Sequence, residues 1–174
     1  MAFRLAAYCC LLLLAPRAAR SAPPPPPACT PALALVESNP HLSVLAAALR
    51  AADDASLRQR LSSTDAVLTL LAPSDAAYEA SFSFFVLPRA VFLANTTLVT
   101  QLMRYQTLPG VALRGAGEAA RQLPTLFLGK SVWLEERSGR LVVRSAGGSV
   151  ARVIGQQGAC AASVLLLDGI VLFS

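Results

Sequence analysis

The chain is poor in the side chains that do chemistry. Among its 174 residues it has one histidine and four cysteines, and only 14% of the residues are charged. A nucleophile needs a base beside it, and a zinc site takes about four ligands. The single histidine, His41, follows Asn39-Pro40 at an expected helix start, and no Gly-x-Ser-x-Gly turn accompanies it. We therefore expect a surface or capping role for His41, no metal, no cofactor and no enzymatic activity.

Two other patterns fall short of a site. Glu135 and Glu136 are adjacent, so on a strand they point to opposite faces and make a poor pair for acid–base chemistry. The stretch Gly115-Ala116-Gly117 lacks the lysine and the following hydroxyl of a phosphate-binding loop. Neither pattern supports a catalytic site.

The first apolar stretch is too short for a membrane span, which needs about 20 residues. It covers the eleven residues Leu5 to Ala15, follows the basic start Met1 to Arg4, and precedes the small residues of Ala19-Arg20-Ser21. This arrangement predicts a secretory signal peptide over residues 1–21, with a retained signal anchor as the alternative. We expect a secreted protein with no transmembrane segment in the mature chain. The lack of a polar spacer and hydrophobic tail before Ser174 argues against a glycosylphosphatidylinositol anchor.

Charge is scarce in the expected mature chain as well. The full chain has 15 Lys+Arg against 10 Asp+Glu. Loss of Arg4, Arg17 and Arg20 with the leader leaves 12 against 10, a net charge of +2. The other basic residues are scattered singly along the sequence, so we expect no basic cluster and no nucleic-acid partner.

Cysteine use fits an oxidising compartment. Cys9 and Cys10 leave with the leader, and Cys29 and Cys160 are left as a pair. A disulfide between Cys29 and Cys160 is the simple expectation, and its loop would stabilise the fold by at most about 4–5 kcal/mol in the chain-entropy model. Two buried free thiols or an intermolecular bridge are the alternatives.

A run of five prolines separates the leader from the folded part. Pro23 to Pro27 would form a stiff polyproline II spacer of about 15 Å or a solvated tail. We assign 22–30 to this proline-rich segment and 31–174 to one domain without internal repeats. The 55% share of hydrophobic residues predicts a well-filled core.

Hydrophobic periodicity predicts helices first and strands last. The expected helices, recognised by apolar residues three and four apart, are 31–37, 41–52, 55–62, 75–80, 88–94 and 96–106. The expected strands, one among the helices and the others after them, are 67–72, 130–136, 141–143, 150–154, 160–167 and 170–173. A helical front half followed by antiparallel strands predicts an α+β fold.

Short motifs follow one another along this pattern. Thr69 to Tyr78 is an apolar strand that runs through a proline into a helix start, and Leu98 to Gln106 is a helix with leucines before a tyrosine. Thr125 to Gly129 forms a turn, and Ala161 to Leu172 is an apolar run containing one aspartate. Their order and spacing resemble the fasciclin domain over residues 31–173. The residues that match the family pattern are Thr69, Ala72, Pro73, Ser74, Asp75, Tyr105, Thr125, Gly129 and Asp168.

The departures from the family pattern indicate a divergent member. Gln106 stands where the family has a histidine, and the closing motif lacks the usual asparagine, glycine and histidine. We expect the local hydrogen bonds to be rearranged or replaced by apolar packing. No Asp-Ile type tripeptide lies near the motifs, so integrin adhesion is not supported.

The resemblance implies both a fold and a function. The fold would be an α+β β-sandwich or wedge with N-terminal helices packed against it. The function would be non-catalytic adhesion or interaction with the matrix or cell wall, with extracellular proteins or glycans as partners. The alternative is a secreted carrier of an apolar molecule such as a carotenoid, which some algal members of the family bind. Phe82, Phe84 and Phe85 would form the apolar ligand surface, unless they pack under the neighbouring helices.

One modification site stands out. Asn95-Thr96-Thr97 is an N-glycosylation sequon, and the same asparagine is a suitable cap for the helix that follows. We expect Asn95 to carry a glycan or to act only as the cap. In both cases the position should be exposed.

Overall fold

The computed structural model describes residues 29–114 and 121–173. The expected leader 1–21, the proline run, Gly115-Ala116-Gly117 and Ser174 lie outside the described residues.

Helices dominate the first half of the described chain and strands dominate the second. The helical segments are α1 (Ala32–Ser38), a 3₁₀ turn (Pro40–Leu42), α2 (Ser43–Ala51), α3 (Ala55–Ser62), α4 (Asp75–Phe85), α5 (Arg89–Ala94) and α6 (Thr96–Tyr105). The strands are β1 (Leu68–Pro73), β2 (Thr107–Pro109), β3 (Arg121–Pro124), β4 (Ser131–Arg137), β5 (Arg140–Ser145), β6 (Val150–Ala159) and β7 (Ala162–Leu167). The α+β class is confirmed.

The strands form one seven-stranded sheet in the order β2-β1-β7-β6-β5-β4-β3. β1 and β7 are parallel neighbours, with Leu70 beside Val164, and the other neighbours are antiparallel. The long strand β6 pairs with both β5 and β7, and its register shifts between Val153 and Gly155. Beyond β3 the Leu126 N–H donates to the Thr107 carbonyl of β2 at 2.9 Å, so the sheet nearly closes on itself. The result is the expected wedge with helices packed against it.

Two apolar clusters lie on opposite faces of the β1–β7 pair. Leu70 and Val164 pack with the helices, whereas Leu71 and Leu165 pack between the two halves of the sheet. Both faces of these two strands are therefore buried, which explains why their sequences are near-continuous apolar runs rather than alternating ones. This two-sided burial joins the helical front half to the strand-rich second half.

Several boundaries differ from the sequence-based expectations. Helix α4 continues to Phe85 instead of ending near Ala80, and β6 runs to Ala159. Strands β2 and β3 were not expected, because each is short and ends in proline. The segment 170–173 is not a strand, although its side chains pack against the core. The sheet is also not wholly antiparallel, because β7 pairs with the distant β1 and periodicity carries no information on pairing partners.

A disulfide links the start of the described chain to the β6–β7 turn. Cys29 and Cys160 are bonded, with their Cα atoms 5.0 Å apart. The neighbouring Ala161 N–H donates to the Thr64 carbonyl at 3.1 Å, which ties the same turn to the segment before β1. The expected intramolecular bridge is confirmed, and the alternatives of free thiols or an intermolecular bridge are set aside.

Strand pairing brings arginines of different strands together. Arg137 of β4 pairs with Arg140 of β5, and Arg144 of β5 and Arg152 of β6 lie on the same face of the sheet. Residues far apart in sequence come together because the register places them side by side. Arginines that are scattered singly in the sequence therefore share one face of the sheet.

An ion pair joins the buried Asp54, at the start of α3, to the partly exposed Arg104 of α6. The Asp54 carboxylate caps α3 by accepting from the Leu57 N–H at 3.0 Å and the Ser56 hydroxyl at 2.8 Å, and it accepts from Arg104 Nε at 2.6 Å. Burial alone would raise the pKa of Asp54, but the hydrogen bonds from Arg104, Leu57 and Ser56 outweigh it and lower the pKa to about 2. The carboxylate thus stabilises the fold in its ionised form.

This pair predicts acid sensitivity. A depressed pKa stabilises the fold above the unfolded-state value near 3.8, and that contribution disappears as pH falls towards 2. Asp54→Asn keeps a capping oxygen but loses the charge, so we expect it to lower the free energy of unfolding at pH 7 by on the order of 2 kcal/mol. Urea unfolding at several pH values measures this difference. It should shrink between pH 4 and pH 2, and an unchanged difference at pH 2 would contradict the assignment.

Candidate functional site

The first family motif caps two helices. Ser74 Oγ accepts from the Ala77 N–H at 3.2 Å and starts α4. The Asp75 carboxylate accepts from the N–H groups of Ser43 and Val44, at 3.1 and 2.8 Å, and so holds the first turn of α2. A carboxylate at a helix N-terminus satisfies free donors and meets the positive end of the dipole. The role of both residues is therefore structural.

The strand part of the same motif is buried. Thr69 Oγ1 donates to the Val111 carbonyl at 2.8 Å and accepts from the Leu113 N–H at 3.0 Å, which fixes the segment after β2. Ala72 and Pro73 are buried on β1. None of these three residues is open to a ligand.

The turn and closing motifs also serve the fold. Thr125 Oγ1 accepts from the Phe127 N–H at 3.2 Å, and Gly129 has φ +74°, a conformation that favours glycine. Asp168 accepts from the backbone N–H of Arg152 at 2.7 Å and from its Nε at 2.6 Å. Parallel pairing brings Asp168 close to Ser74, whose N–H donates to the Leu167 carbonyl at 3.0 Å. The motif residues are thus spread along the β1–β7 junction and the turns, rather than gathered into one site.

The position where the family has histidine is fully buried. Gln106 has no side-chain hydrogen-bond partner within residues 29–114 and 121–173, and the same holds for the Tyr78 hydroxyl. Burial raises the pKa of Tyr78. The adjacent Tyr105 hydroxyl donates to the Ser131 carbonyl at 3.1 Å, and burial raises its pKa as well. Where the family has a histidine, this chain therefore has a buried amide beside the Tyr78 hydroxyl, although the two do not meet hydrogen-bond geometry.

The residues examined for catalysis lie apart. His41 is exposed in the 3₁₀ turn, where its backbone N–H donates to Asn39 Oδ1 at 3.0 Å. Glu135 is paired with Arg137 and Arg144. No group of three or more His, Cys, Asp or Glu side chains suited to a metal ion occurs in the described part of the chain.

The aromatic stretch is divided between core and surface. Phe82 is buried with its ring 5.3 Å from that of Phe92, whereas Phe84 is 81% exposed and Phe85 is 53% exposed. The rings of Phe84 and Phe85 meet edge to face at 4.9 Å. Phe82 therefore packs under the neighbouring helices and Phe84 points to solvent, because a helix turns successive residues to different sides.

An apolar groove of about 380 Å³ lies beside this exposed pair. Its walls come from α4, α5, α6 and the segment 170–173, and Ser81 is its one polar lining residue among those described. The lining includes Phe82, Phe85, Phe92, Leu98, Ile170 and Leu172. Sequence reasoning missed the wall formed by 170–173, because it assigned that segment to the sheet.

Backbone strain marks the exposed end of α4. Val86 ends the helix in the left-handed conformation, with φ 52°, and is 87% exposed. Glycine is the usual residue there, and a β-branched residue at positive φ is an outlier. We call Phe84, Phe85 and Val86 the apolar ridge. Exposed apolar patches of this kind occur at contact sites of soluble proteins.

Asn95 is exposed and caps α6, with Oδ1 accepting from the Leu98 N–H at 3.0 Å. The cap uses the oxygen, whereas a glycan is attached through the amide nitrogen. The expectation of exposure is confirmed, and capping is compatible with glycosylation.

No single helix within 29–114 and 121–173 is long and apolar enough to cross a bilayer. Ala32–Ser38 and Pro40–Ala51 reach the required length and composition only when taken together, and they bend by 98° relative to each other.

The fold and the motifs define a known class of domain. The fasciclin domain model matches residues 40–168, so the chain belongs to the fasciclin domain family. The predicted resemblance is confirmed. No curated protein matches the chain.

A solved structure has the same fold. It is a FAS1 domain pair from the insect cell adhesion molecule fasciclin I. It aligns with this chain at a TM-score of 0.66 and 15% sequence identity. The alignment covers 82% of this chain and 51% of that one, so the chain spans about half the length of the pair. Fasciclin domains are generally non-catalytic adhesion modules, and neither comparison supports the carrier alternative.

Strain at Val86 gives a testable prediction. Val86→Gly should raise the free energy of unfolding by about 1 kcal/mol, because glycine adopts positive φ without a steric penalty. Val86→Ala is the matched control and should gain less, since it keeps a Cβ. Urea denaturation measures both, and a Val86→Gly protein less stable than the Val86→Ala protein would show that the cap is not strained.

Proposed function

We propose that this protein is a secreted, non-catalytic module that binds extracellular matrix or cell-surface proteins. The apolar ridge is the observation that carries the proposal. It exposes two phenylalanines in edge-to-face contact and a valine beside the groove, and no titratable side chain lines that groove among the described residues. The insect cell adhesion molecule with the same fold is in keeping with this function.

The ridge has the composition of a binding hot spot. An aromatic side chain buries roughly 150–250 Å² when covered, and interface cores are enriched in such residues. At about 25 cal/mol per Å², covering Phe84 and Phe85 would stabilise a complex by several kcal/mol before the cost of association. A partner with an apolar pocket that accepts the two rings fits this surface.

Adhesion is tested with ridge variants. The double variant Phe84→Ser/Phe85→Ser should reduce attachment of protein-coated beads to matrix and cell-wall fractions by at least about tenfold, because truncating hot-spot aromatics costs over ~1 kcal/mol each. The matched control is Val67→Ser/Leu128→Ser, which removes two exposed apolar residues elsewhere. Equal attachment by both variants and the unchanged protein would reject the ridge as the adhesion surface.

An apolar small molecule is the second candidate ligand, and only the groove favours it. The groove's volume and apolar lining suit one end of an extended lipophilic molecule. An absorption spectrum of protein purified from its own source, with mass analysis of an organic extract, separates the candidates. A stoichiometric apolar compound supports a carrier, and a colourless extract with matrix attachment supports adhesion.

Secretion is part of the proposal. We infer that residues 1–21 are removed as a leader, that 22–30 form a proline-rich spacer and that 31–174 form the domain. The Cys29–Cys160 disulfide supports a secretory route, since such bonds persist in oxidising compartments. Exposed Asn95 would then meet the glycosylation machinery.

Glycosylation at Asn95 is a further prediction. We expect the secreted protein to lose mass on treatment with peptide N-glycosidase F, as judged by intact mass. Thr97→Ala should abolish that loss, since it removes the hydroxyl of the sequon, while leaving the Asn95 cap in place. Thr97→Ser restores the hydroxyl and should restore the glycan. A secreted protein of unmodified mass would contradict the prediction.

A further inference from the structure

We propose that the outward face of β4, β5 and β6 binds an acidic polysaccharide through its arginines. Arg137 stands opposite Arg140 across the β4–β5 pair. Arg152 of β6 pairs with Val142 of β5. Because Val142 lies two residues from both Arg140 and Arg144, Arg152 is a diagonal neighbour of these two arginines. With strands about 4.8 Å apart, the four side chains span a surface roughly 10 Å across. We call this surface the arginine face.

The hairpin turn holds two of these arginines in register. Ser138 and Gly139 form a two-residue connection, and both have positive φ, 52° and 73°. This is the pattern of a type I′ turn, whose twist matches that of the flanking strands. Arg137 and Arg140 are therefore fixed as neighbours at the end of the face.

Positive charge on the face exceeds negative charge. Glu135 accepts from Arg144 Nε at 2.7 Å and from an Arg137 terminal nitrogen at 2.6 Å, so one carboxylate serves two guanidinium groups. These arginines, Arg144 first, lower the pKa of Glu135. Asp168 at the edge of the face pairs with Arg152 at 2.6 Å.

Arg140 adds a positive charge that no carboxylate of the described residues pairs with. Its guanidinium makes no hydrogen bond or ion pair with any described residue, and it is exposed. Glu136 pairs across the strands with buried Leu141, so it belongs to the opposite side of β4. Four arginines thus face two carboxylates, and the surplus of two positive charges equals the net charge expected for the whole mature chain.

The shape suits an extended chain better than a single ion. An open cleft of about 470 Å³ crosses the face, and it is lined by Arg137, Ser138, Arg140, Val142, Val150 and Arg152. Val150, which is 45% exposed, supplies a small apolar floor between the cations, whereas Val142 is buried. Sugar rings would cover this floor while their sulfate or carboxylate groups reach the guanidinium groups, which bind planar anions in a bidentate manner.

Two other polyanions fit less well. The flat ring of Trp133, which could stack on a nucleic-acid base, is already covered by the Arg144 guanidinium at 5.2 Å. An acidic protein partner would need an apolar anchor, and the central Val142 is only 3% exposed. The choice of a polysaccharide rests on the proposed extracellular function, because sulfated and uronic-acid polymers are the extended polyanions of that compartment.

Heparin, a sulfated polysaccharide, is the probe for this face. We expect the folded protein to be retained on immobilised heparin at about 0.15 M NaCl and released by higher salt, since exposed ion contacts are screened. Arg137→Gln/Arg140→Gln should weaken heparin binding by on the order of tenfold. The control Arg50→Gln/Arg60→Gln removes the same charge from α2 and α3 and should bind heparin like the unchanged protein. Thermal unfolding of both variants confirms that they are folded.

The outcomes decide between the partners. Loss of binding only in the Arg137/Arg140 variant, with weaker retention on polyglutamate or duplex DNA of similar charge density, supports the proposal. Equal loss in the control, no retention of the unchanged protein, or stronger binding to polyglutamate or DNA overturns it. The ridge variant Phe84→Ser/Phe85→Ser should keep its heparin affinity. Failure of heparin binding with intact matrix attachment overturns this inference alone, whereas failure of attachment in the unchanged protein overturns the adhesion proposal.

Discussion

Parallel pairing of β1 with β7 is the constraint on which the rest of the structure depends. It joins segments more than 90 positions apart, from Thr69 beside Ser163 to Pro73 beside Leu167. Apolar side chains on both faces of the pair are buried, and each large one stabilises the fold by about 1.5–3 kcal/mol. The helices rest on one face and the remaining sheet curls over the other, so neither core cluster exists without this pair.

The family motif residues are understood as supports of that pairing. Their side chains satisfy backbone donors of the elements around the pair: Asp75 those of α2, Ser74 that of α4 and Asp168 that of β6. The same chemistry that makes these residues recognisable in the sequence therefore makes them unavailable to a ligand. The surfaces that we propose for interaction lie elsewhere, at the exposed end of α4 and on the outer face of β4–β6.

Local patterns were sufficient for much of the fold. Helix α3 lies at its expected residues, 55–62, because Asp54 caps it and Leu57 and Leu61 bury one face. Strand β1 and helix α6 lie within a residue of expectation for similar reasons. Periodicity failed where tertiary contacts decide, as in β2 and β3, which are strands only because neighbours pair with them. The strand prediction for 170–173 was wrong in the opposite way. This apolar run has the pattern of a strand, but it packs beside the groove as irregular chain.

The sequence by itself predicted the class of fold, the Cys29–Cys160 pairing and the exposure of Asn95, because each depends on residue type, count or local spacing. Tertiary structure alone decided which aromatic rings are exposed and where the arginines meet. Phe82 and Phe84 point to different sides of α4, and the pairing of β4, β5 and β6 places Arg137, Arg140, Arg144 and Arg152 on one face. Which strands pair is decided by long-range contacts, and the turns that join neighbouring strands then help to fix their register.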